Sequence, residues 1–313
     1  MKEDWSKIHV GLEQLIGGDF AAGAVLISFG AVLGKVNSFQ LLVMATIETI
    51  FYSMNAVIGY TELQTTDVGG SIFIHTFGAY FGLAVSAVVS PKTSKNSPLN
   101  TSSQVTNLLA MVGTIFLWMF WPSFNGALAS GNAEHRVVVN TVLTISASCV
   151  GAFMMSTLTH NGKYEMEDIL NATLAGGVLI GALADVSQVL AWPIIIGFLG
   201  GLFSAFGFAH INGALNKKLG LHDTCGVHYL HGLPGVISGV LSAIFAATAG
   251  NTNDETWGLE VNTLYPGRAN GERSAGGQAG VQIGALFMTL GIAIGSGLFT
   301  GFILRCGCFQ GPK

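Results

Sequence analysis

The sequence predicts an all-α protein, a polytopic bundle of transmembrane helices arranged as two halves of inverted topology. Half of the 313 residues are hydrophobic and only 10% are charged, whereas soluble domains carry about 25% charged residues. Such a chain cannot cover itself with polar surface, so we expect a membrane protein. The 43 glycines are typical of helices that pack closely within a bilayer.

About nine stretches are long and apolar enough to cross a bilayer, which takes about 20 residues per helix. They belong to one predicted transmembrane domain over residues 8–305, followed by a short cytoplasmic tail over residues 306–313. The connections are short, except for the polar segments 91–105 and 249–275. The predicted spans are residues 16–34, 39–61, 68–90, 106–124, 137–158, 168–186, 190–212, 225–248 and 276–304.

Particular residues mark several of these spans. Glu48 and Asn55 lie within the second span, where we expect them to hydrogen-bond between helices. Asp67 and Asp223 begin the third and eighth spans. The ninth, at 276–304, is long enough to be tilted or kinked.

The lysines and arginines of the loops predict the orientation, because they collect on the cytoplasmic side. Eight fall on one face of the predicted bundle and five on the other. This difference places the C-terminus in the cytoplasm, and we expect a multi-pass protein of the plasma membrane. The first face carries Lys35, Lys92, Lys95, Lys163, Lys217, Lys218, Arg305 and Lys313, and the second carries Lys2, Lys7, Arg136, Arg268 and Arg273.

One motif occurs twice, 156 residues apart. Asp67 precedes His75 by eight residues, and Asp223 precedes His231 by the same distance, with a glycine five residues before each histidine. The two copies lie on the third and eighth spans, which cross the membrane in opposite directions. This is the pattern of an inverted repeat, whose site lies near the bilayer midplane between the halves.

The two histidines allow three interpretations. Ionisable residues within spans are rare and usually functional, and two neutral imidazoles can bond each other and a small polar guest. Alternatively, each histidine satisfies a polar group between packed helices. A metal site needs three or four ligands, and His228 is the only third ligand that lies close in sequence.

The aspartates and aromatic residues also have two interpretations each. Asp67 and Asp223 suit N-capping of their helices, yet a carboxylate near a pore entrance also attracts cations. Phe20 and the run Trp118–Asn125 fall at the same end of their spans, where rings form an interfacial belt or close a vestibule and bind a cation by cation–π contact.

The sequence gives no sign of enzymatic or nucleic-acid-binding chemistry. It has no nucleotide loop, nucleophile triad or zinc spacing, and we expect no cofactor, no metal and no nucleic-acid partner. Cys149, Cys225, Cys306 and Cys308 do not form a loop-based framework, so we expect no structural disulfide.

Five long, ordered motifs resemble those of Rh glycoproteins in the Amt/Mep/Rh ammonium transporter superfamily. The resemblance covers residues 8–305. The motifs are Asp67–Gly82, Phe116–Asn125, Asn171–Gly177, Asp223–Gly235 and Gly18–Phe20 with Phe29–Lys35.

The resemblance implies a specific pore. Family members have eleven or twelve spans in two inverted halves and assemble as homotrimers with one pore per subunit. By motif, His75 and His231 would be the twin histidines and Phe20 and Phe124 the outer aromatic gate. Asp67, Asn125 and Asp223 would give acidic and polar support.

The implied activity is conduction of ammonia or ammonium, with the lipid bilayer and a homotrimer or Rh-family heterotrimer as the partners. The family has two or three spans before the position of Met1, so the chain is N-terminally short by this comparison. Two alternatives are a CO2 or gas channel of the same fold and a non-transporting Rh-type scaffold or truncated isoform.

Overall fold

Helices account for the whole architecture of the part of the chain described in this computed structural model, namely residues 10–91, 94, 97–98, 100–211, 221–250, 261 and 263–309. Several charges used for the orientation, at positions 2, 7, 92, 95, 217, 218 and 313, lie outside the described residues, as does the end of the predicted tail at 310–313. The predicted all-α class is confirmed. The helices are α1 (Leu12–Val32), α2 (Ser38–Glu62), α3 (Ser71–Val89), α4 (Gln104–Gly126), α5 (Asn132–Thr159), α6 (Met166–Gly181), α7 (Ala191–Ile211), α8 (His228–Thr248), the short α9 (Pro266–Ala269) and α10 (Ala275–Leu304).

Eight of these helices are long and apolar enough to cross a membrane. The remaining predicted span, 168–186, is shorter than expected, because α6 has 16 residues and ends at Gly181. The chain then turns, and the Asn140 side-chain amide of α5 donates to the carbonyl oxygens of Ala184 and Ser187 at 2.8 and 2.7 Å. A side chain thus takes the place of the backbone amides that would bond these carbonyls in a longer helix. The hydrophobic periodicity of the sequence alone does not reveal this helix end.

The inverted repeat extends over six helices, with α1, α2 and α3 matching α6, α7 and α8. Gly70 and Gly226, 156 residues apart, both take a left-handed conformation, with φ of +69° and +70°. The Gly69 amide donates to the Gly181 carbonyl, and the Cys225 amide donates to that of Gly30 in the same way. The two ends of the bundle are therefore built on one plan.

The second and seventh helices show the same correspondence. Both α2 and α7 finish in a π-helical turn, at Ile58–Glu62 and Gly207–Ile211. An added Cβ at Gly59 would lie 2.1 Å from the Phe73 ring, and one at Gly207 would lie 2.2 Å from the Tyr229 ring. Glycine is needed at both places because an aromatic ring of the histidine-bearing helix packs directly on the backbone.

The outer surface of the bundle is apolar. The buried residues of α4 are Thr114, Trp121 and Asn125, and Ile115 and Phe116 in its middle are 53% and 57% exposed. Soluble proteins rarely expose a large contiguous apolar face, so this surface fits the hydrocarbon of a bilayer.

Candidate functional site

The site begins at the turn that precedes α3. Asp67 Oδ2 accepts hydrogen bonds from the amides of Ile72 and Phe73, both at 2.9 Å. The first turn of α3, Ser71–Thr76, is π-helical, and the carbonyl of Gly70 accepts from the amides of both Ile74 and His75. π-Helical turns are rare and frequent at functional sites. This one contains His75.

The turn before α8 repeats this construction. Asp223 Oδ1 accepts from the Val227 amide at 3.0 Å, and Oδ2 accepts from the His228 amide at 2.9 Å. The first turn, His228–Gly232, is again π-helical and contains His231. Both aspartates therefore cap their helices, as expected from their positions.

The two imidazoles meet where the halves join. His75 Nδ1 lies 3.1 Å from His231 Nδ1, and the ring planes are within 7° of parallel. One ring must donate and the other accept across this contact, since a neutral imidazole carries one N–H. His75 is 3% exposed, and its Nε2 is buried without a hydrogen-bond partner in the described residues.

An aromatic pair lies on one side of the histidines. The rings of Phe20 on α1 and Phe124 on α4 are 5.0 Å apart and tilted by 56°. The ring of Phe124 is also 5.7 Å from that of His75. The four predicted residues from α1, α3, α4 and α8 are thus contiguous, although they are distant in sequence.

Trp121 belongs to this site as well, although the sequence placed it only within the run Trp118–Asn125 and not among the predicted gate residues. Its ring stacks on that of His75, with centroids 5.7 Å apart and planes within 15°. An added Cβ at Gly177 would lie 2.3 Å from Trp121 Nε1, so the glycine makes room for the ring. The available signal was that Trp121 precedes Phe124 by three residues, which puts both on one face of a helix.

Asn125 lies beside the aromatic pair but has a packing role. Its amide donates to Thr141 Oγ1 at 3.1 Å and to the Gly177 carbonyl at 3.2 Å. These bonds join α4 to α5 and α6 and are fully buried. Asn125 therefore fixes the helix that carries Phe124 and Trp121.

His228 does not join the histidine pair. Its ring packs edge-on against those of Tyr80 and Tyr229, away from the contact between His75 and His231. Within the described residues, His, Cys, Asp and Glu side chains nowhere gather in a group of three or more that could hold a metal ion.

The charge at the Asp67 turn depends on burial. Asp67 is 2% exposed, and burial raises the pKa of its carboxyl to about 7, while the amides of Phe73 and Ile72 lower it and Asp185 raises it further. Asp67 therefore changes charge near neutral pH.

Comparison with known proteins identifies the family to which this arrangement belongs. The model of the Ammonium Transporter Family matches residues 4–308. The chain belongs to the Ammonium Transporter Family. Its members are transporters and not enzymes, as the absence of catalytic motifs in the sequence suggested.

The relatives point to the Rh branch of the family. The chain is 44% identical over 310 residues to the ammonium transporter Rh type B of Oryzias latipes, which covers 98% of this chain and 66% of the relative. It is 44% identical over 308 residues to that of Rattus norvegicus, covering 97% and 67%. The chain thus spans about two thirds of the length of these curated relatives.

Solved structures agree with the fold. The Rh50 protein of Nitrosomonas europaea, a channel of the Rhesus protein family, superposes with a TM-score of 0.78 at 32% identity, covering 94% of this chain and 70% of that one. A variant of Mep2 from Candida albicans superposes with a TM-score of 0.76 at 19% identity, covering 94% and 65%, and shows a shared fold.

Proposed function

We propose that this protein conducts ammonia or ammonium across a membrane, with His75 and His231 as the pair that the substrate passes. The contact between the two imidazoles, with an Nδ1–Nδ1 distance of 3.1 Å, carries the proposal. The relatives named as ammonium transporters and the Rh50 channel support it.

The surroundings of the pair favour a neutral molecule over an ion. The rings of Trp121 and Phe124 cover His75, and Phe20 packs against Phe124. A bare ammonium ion would lose its hydration there at a cost of several kcal/mol or more. Ammonia has both a lone pair and N–H groups, so it can bond with an imidazole nitrogen in either role.

Asp67 and the aromatic pair have separate proposed roles. Phe20 and Phe124 form the outer gate, where a ring face can hold a cation for about 1–2 kcal/mol once it is partly desolvated. Asp67 adds negative charge near that entrance, and Asp223 occupies the matching position at the opposite end. Assembly as a trimer and a cytoplasmic C-terminus in the plasma membrane complete the proposal by analogy with the family.

Methylammonium uptake in yeast cells that lack their own ammonium transporters tests this function. We expect the wild-type chain to restore uptake and the His75→Ala, His231→Ala double variant to lose it. His135→Ala is the matched control, because His135 is exposed at the start of α5. Surface labelling verifies that each variant reaches the membrane.

The alternatives give different results in the same cells. A non-transporting scaffold predicts no uptake from wild-type protein that has reached the membrane. A CO2 channel predicts that CO2 flux in vesicles depends on the histidine pair while methylammonium neither enters nor competes. Uptake that persists in the double variant would contradict the proposed route.

A further inference from the structure

The turns before α3 and α8 are each held by a side chain from elsewhere in the bundle. At the Asp67 end, Gln282 of α10 donates from Nε2 to the Thr66 carbonyl at 2.8 Å and to Ser242 Oγ at 2.9 Å. At the Asp223 end, Lys35 donates from Nζ to Ser86 Oγ at 2.8 Å and to the His222 carbonyl. We call Gln282 and Lys35 the clamp donors.

The two clamps share two acceptors, the carbonyl before the aspartate and a serine hydroxyl, and they differ in the donor. Thr66 and His222 each precede an aspartate, and they are 156 residues apart, as are Ser86 and Ser242. The donors come from unrelated places, since Lys35 follows α1 and Gln282 lies on α10, which is outside the repeat. Gly30 and Gly181 occupy corresponding positions in the two halves and are 151 residues apart. The same spacing makes Val186, which is buried and apolar, the counterpart of Lys35.

The clamp donors differ in charge. Burial lowers the pKa of Lys35 to about 8, although Asp223 and Cys225 raise it, so most of the lysine is protonated at pH 7. Lys35 donates to the hydroxyl of Ser86 and to the backbone carbonyls of Ala31 and His222, and the ionisable groups that act on its pKa are the carboxyl of Asp223 and the thiol of Cys225. Gln282 is neutral at every pH.

The two aspartates also differ in the partners of their carboxyl oxygens. Both oxygens of Asp223 accept backbone amides. Burial raises the pKa of this carboxyl, and the amides of His228 and Val227 and the charge of Lys35 act against that rise. Asp67 receives both amides on Oδ2, while its buried Oδ1 has no hydrogen-bond partner among the described residues. The lysine ammonium near Asp223 bonds the carbonyl of the residue before it, whereas Asp67 keeps one oxygen without a partner among the described residues.

We propose that the charge of the clamp donor determines which end of the bundle can hold a cation: neutral Gln282 leaves the Asp67 end open to an ammonium-type cation, and Lys35 closes the Asp223 end to it. This inference rests on the proposed function for its cation. Lys35 and Gln282 are positioning residues that act through the aspartates.

Exchange of the donors tests the inference through the kinetics of methylammonium uptake. We expect Gln282→Lys to raise the KM about tenfold with little change in the maximal rate, since a fixed charge near the site repels the cation. Gln282→Met is the matched control. It also loses the hydrogen bonds but adds no charge, so the KM of Gln282→Lys divided by that of Gln282→Met isolates the added charge, and we expect most of the tenfold rise to remain in this ratio.

Thermal unfolding of purified protein gives a second readout that does not need transport. A cation that binds the folded state raises the melting temperature, and methylammonium chloride is compared with choline chloride at equal ionic strength. We expect methylammonium to raise the melting temperature of the wild type and of the His75→Ala, His231→Ala variant. It should not raise that of Gln282→Lys. In the Asp67→Asn background, Lys35→Gln should restore a rise through the Asp223 end, and Lys35→Arg should not.

The two readouts separate the inference from the proposed function. If uptake is absent but the melting temperatures follow this pattern, conduction fails and the inference stands. The inference is overturned if wild type shows no methylammonium-specific rise, or if Gln282→Lys retains the wild-type rise.

Discussion

At the residue scale, the site depends on a few polar groups placed in apolar surroundings. Asp67 and His75 are buried and His231 is half-buried, and backbone contacts within their turn position Asp67 and His75. Burial makes the charge of Asp67 sensitive to pH, because the neutral acid is the form that a poorly hydrated site favours.

The pH dependence of uptake reports on Asp67. With a pKa of about 7, its carboxyl is charged above pH 7 and becomes neutral as the pH falls through that value. We expect the ratio of wild-type to Asp67→Asn methylammonium uptake to be largest near pH 8 and to approach one near pH 5.5. Methylammonium stays protonated over this range, as a lysine amine does.

The ratio is measured in the same cells at fixed external methylammonium. A ratio that is constant between pH 5.5 and 8 would show that the charge of Asp67 has no part in recruitment and that the residue serves only as a cap.

At the scale of the elements, the π-helical first turns of α3 and α8 are the feature that aims the histidines. Gly70 and Gly226 precede these turns in a left-handed conformation, and the Gly70 carbonyl accepts the amides of both Ile74 and His75. Side-chain periodicity carries no information about this geometry. The sequence therefore predicts that a helix bears each histidine, and only the structure shows how its first turn is wound.

Gly70→Ala tests the importance of this turn. The left-handed conformation costs a residue with a Cβ about 1–2 kcal/mol, and the new atom would lie 2.2 Å from Ile74 Cδ1. We expect a lower melting temperature and a several-fold loss of uptake.

Gly34→Ala is the control for this prediction. Gly34 has a similar φ of +78°, but an added Cβ meets nothing within 4 Å. Gly34→Ala should lower the melting temperature through the strained backbone but leave methylammonium uptake unchanged. Equal uptake by the two variants would mean that the π-helical turn is not required.

At the scale of the whole molecule, an apolar exterior surrounds a small polar interior. Composition and the long apolar stretches predict the membrane environment and the helical class, and the repeated motif predicts the inverted halves. A single sequence does not specify contacts between helices. Three features depend on such contacts, namely the stacking of Trp121 on His75, the packing of the Trp121 ring against Gly177 and the early end of α6. The clamp donors escape sequence analysis for the same reason, since Gln282 and Lys35 lie on elements that do not correspond in the repeat.

The membrane-facing surface makes its own prediction. Ile115 lies in the middle of α4 and is 53% exposed, so Ile115→Asp would place a carboxylate in hydrocarbon at a cost of about 2.5–3.5 kcal/mol. We expect its abundance in the membrane fraction to fall several-fold, while Ile115→Ala stays near the wild-type amount. Normal abundance of the aspartate variant would place this face against protein or water.

The contact between the imidazoles has a consequence for the symmetry of the bundle. The two halves follow one plan, yet a single hydrogen lies between the two Nδ1 atoms. When His75 donates it, the Nε2 of His75 is a bare lone pair and that of His231 carries an N–H; when His231 donates it, the reverse holds. The pair therefore has two directions of hydrogen bonding. To reverse the direction, the shared hydrogen moves to the other Nδ1, the ring that receives it loses its Nε2 proton, and the other ring gains a proton on Nε2.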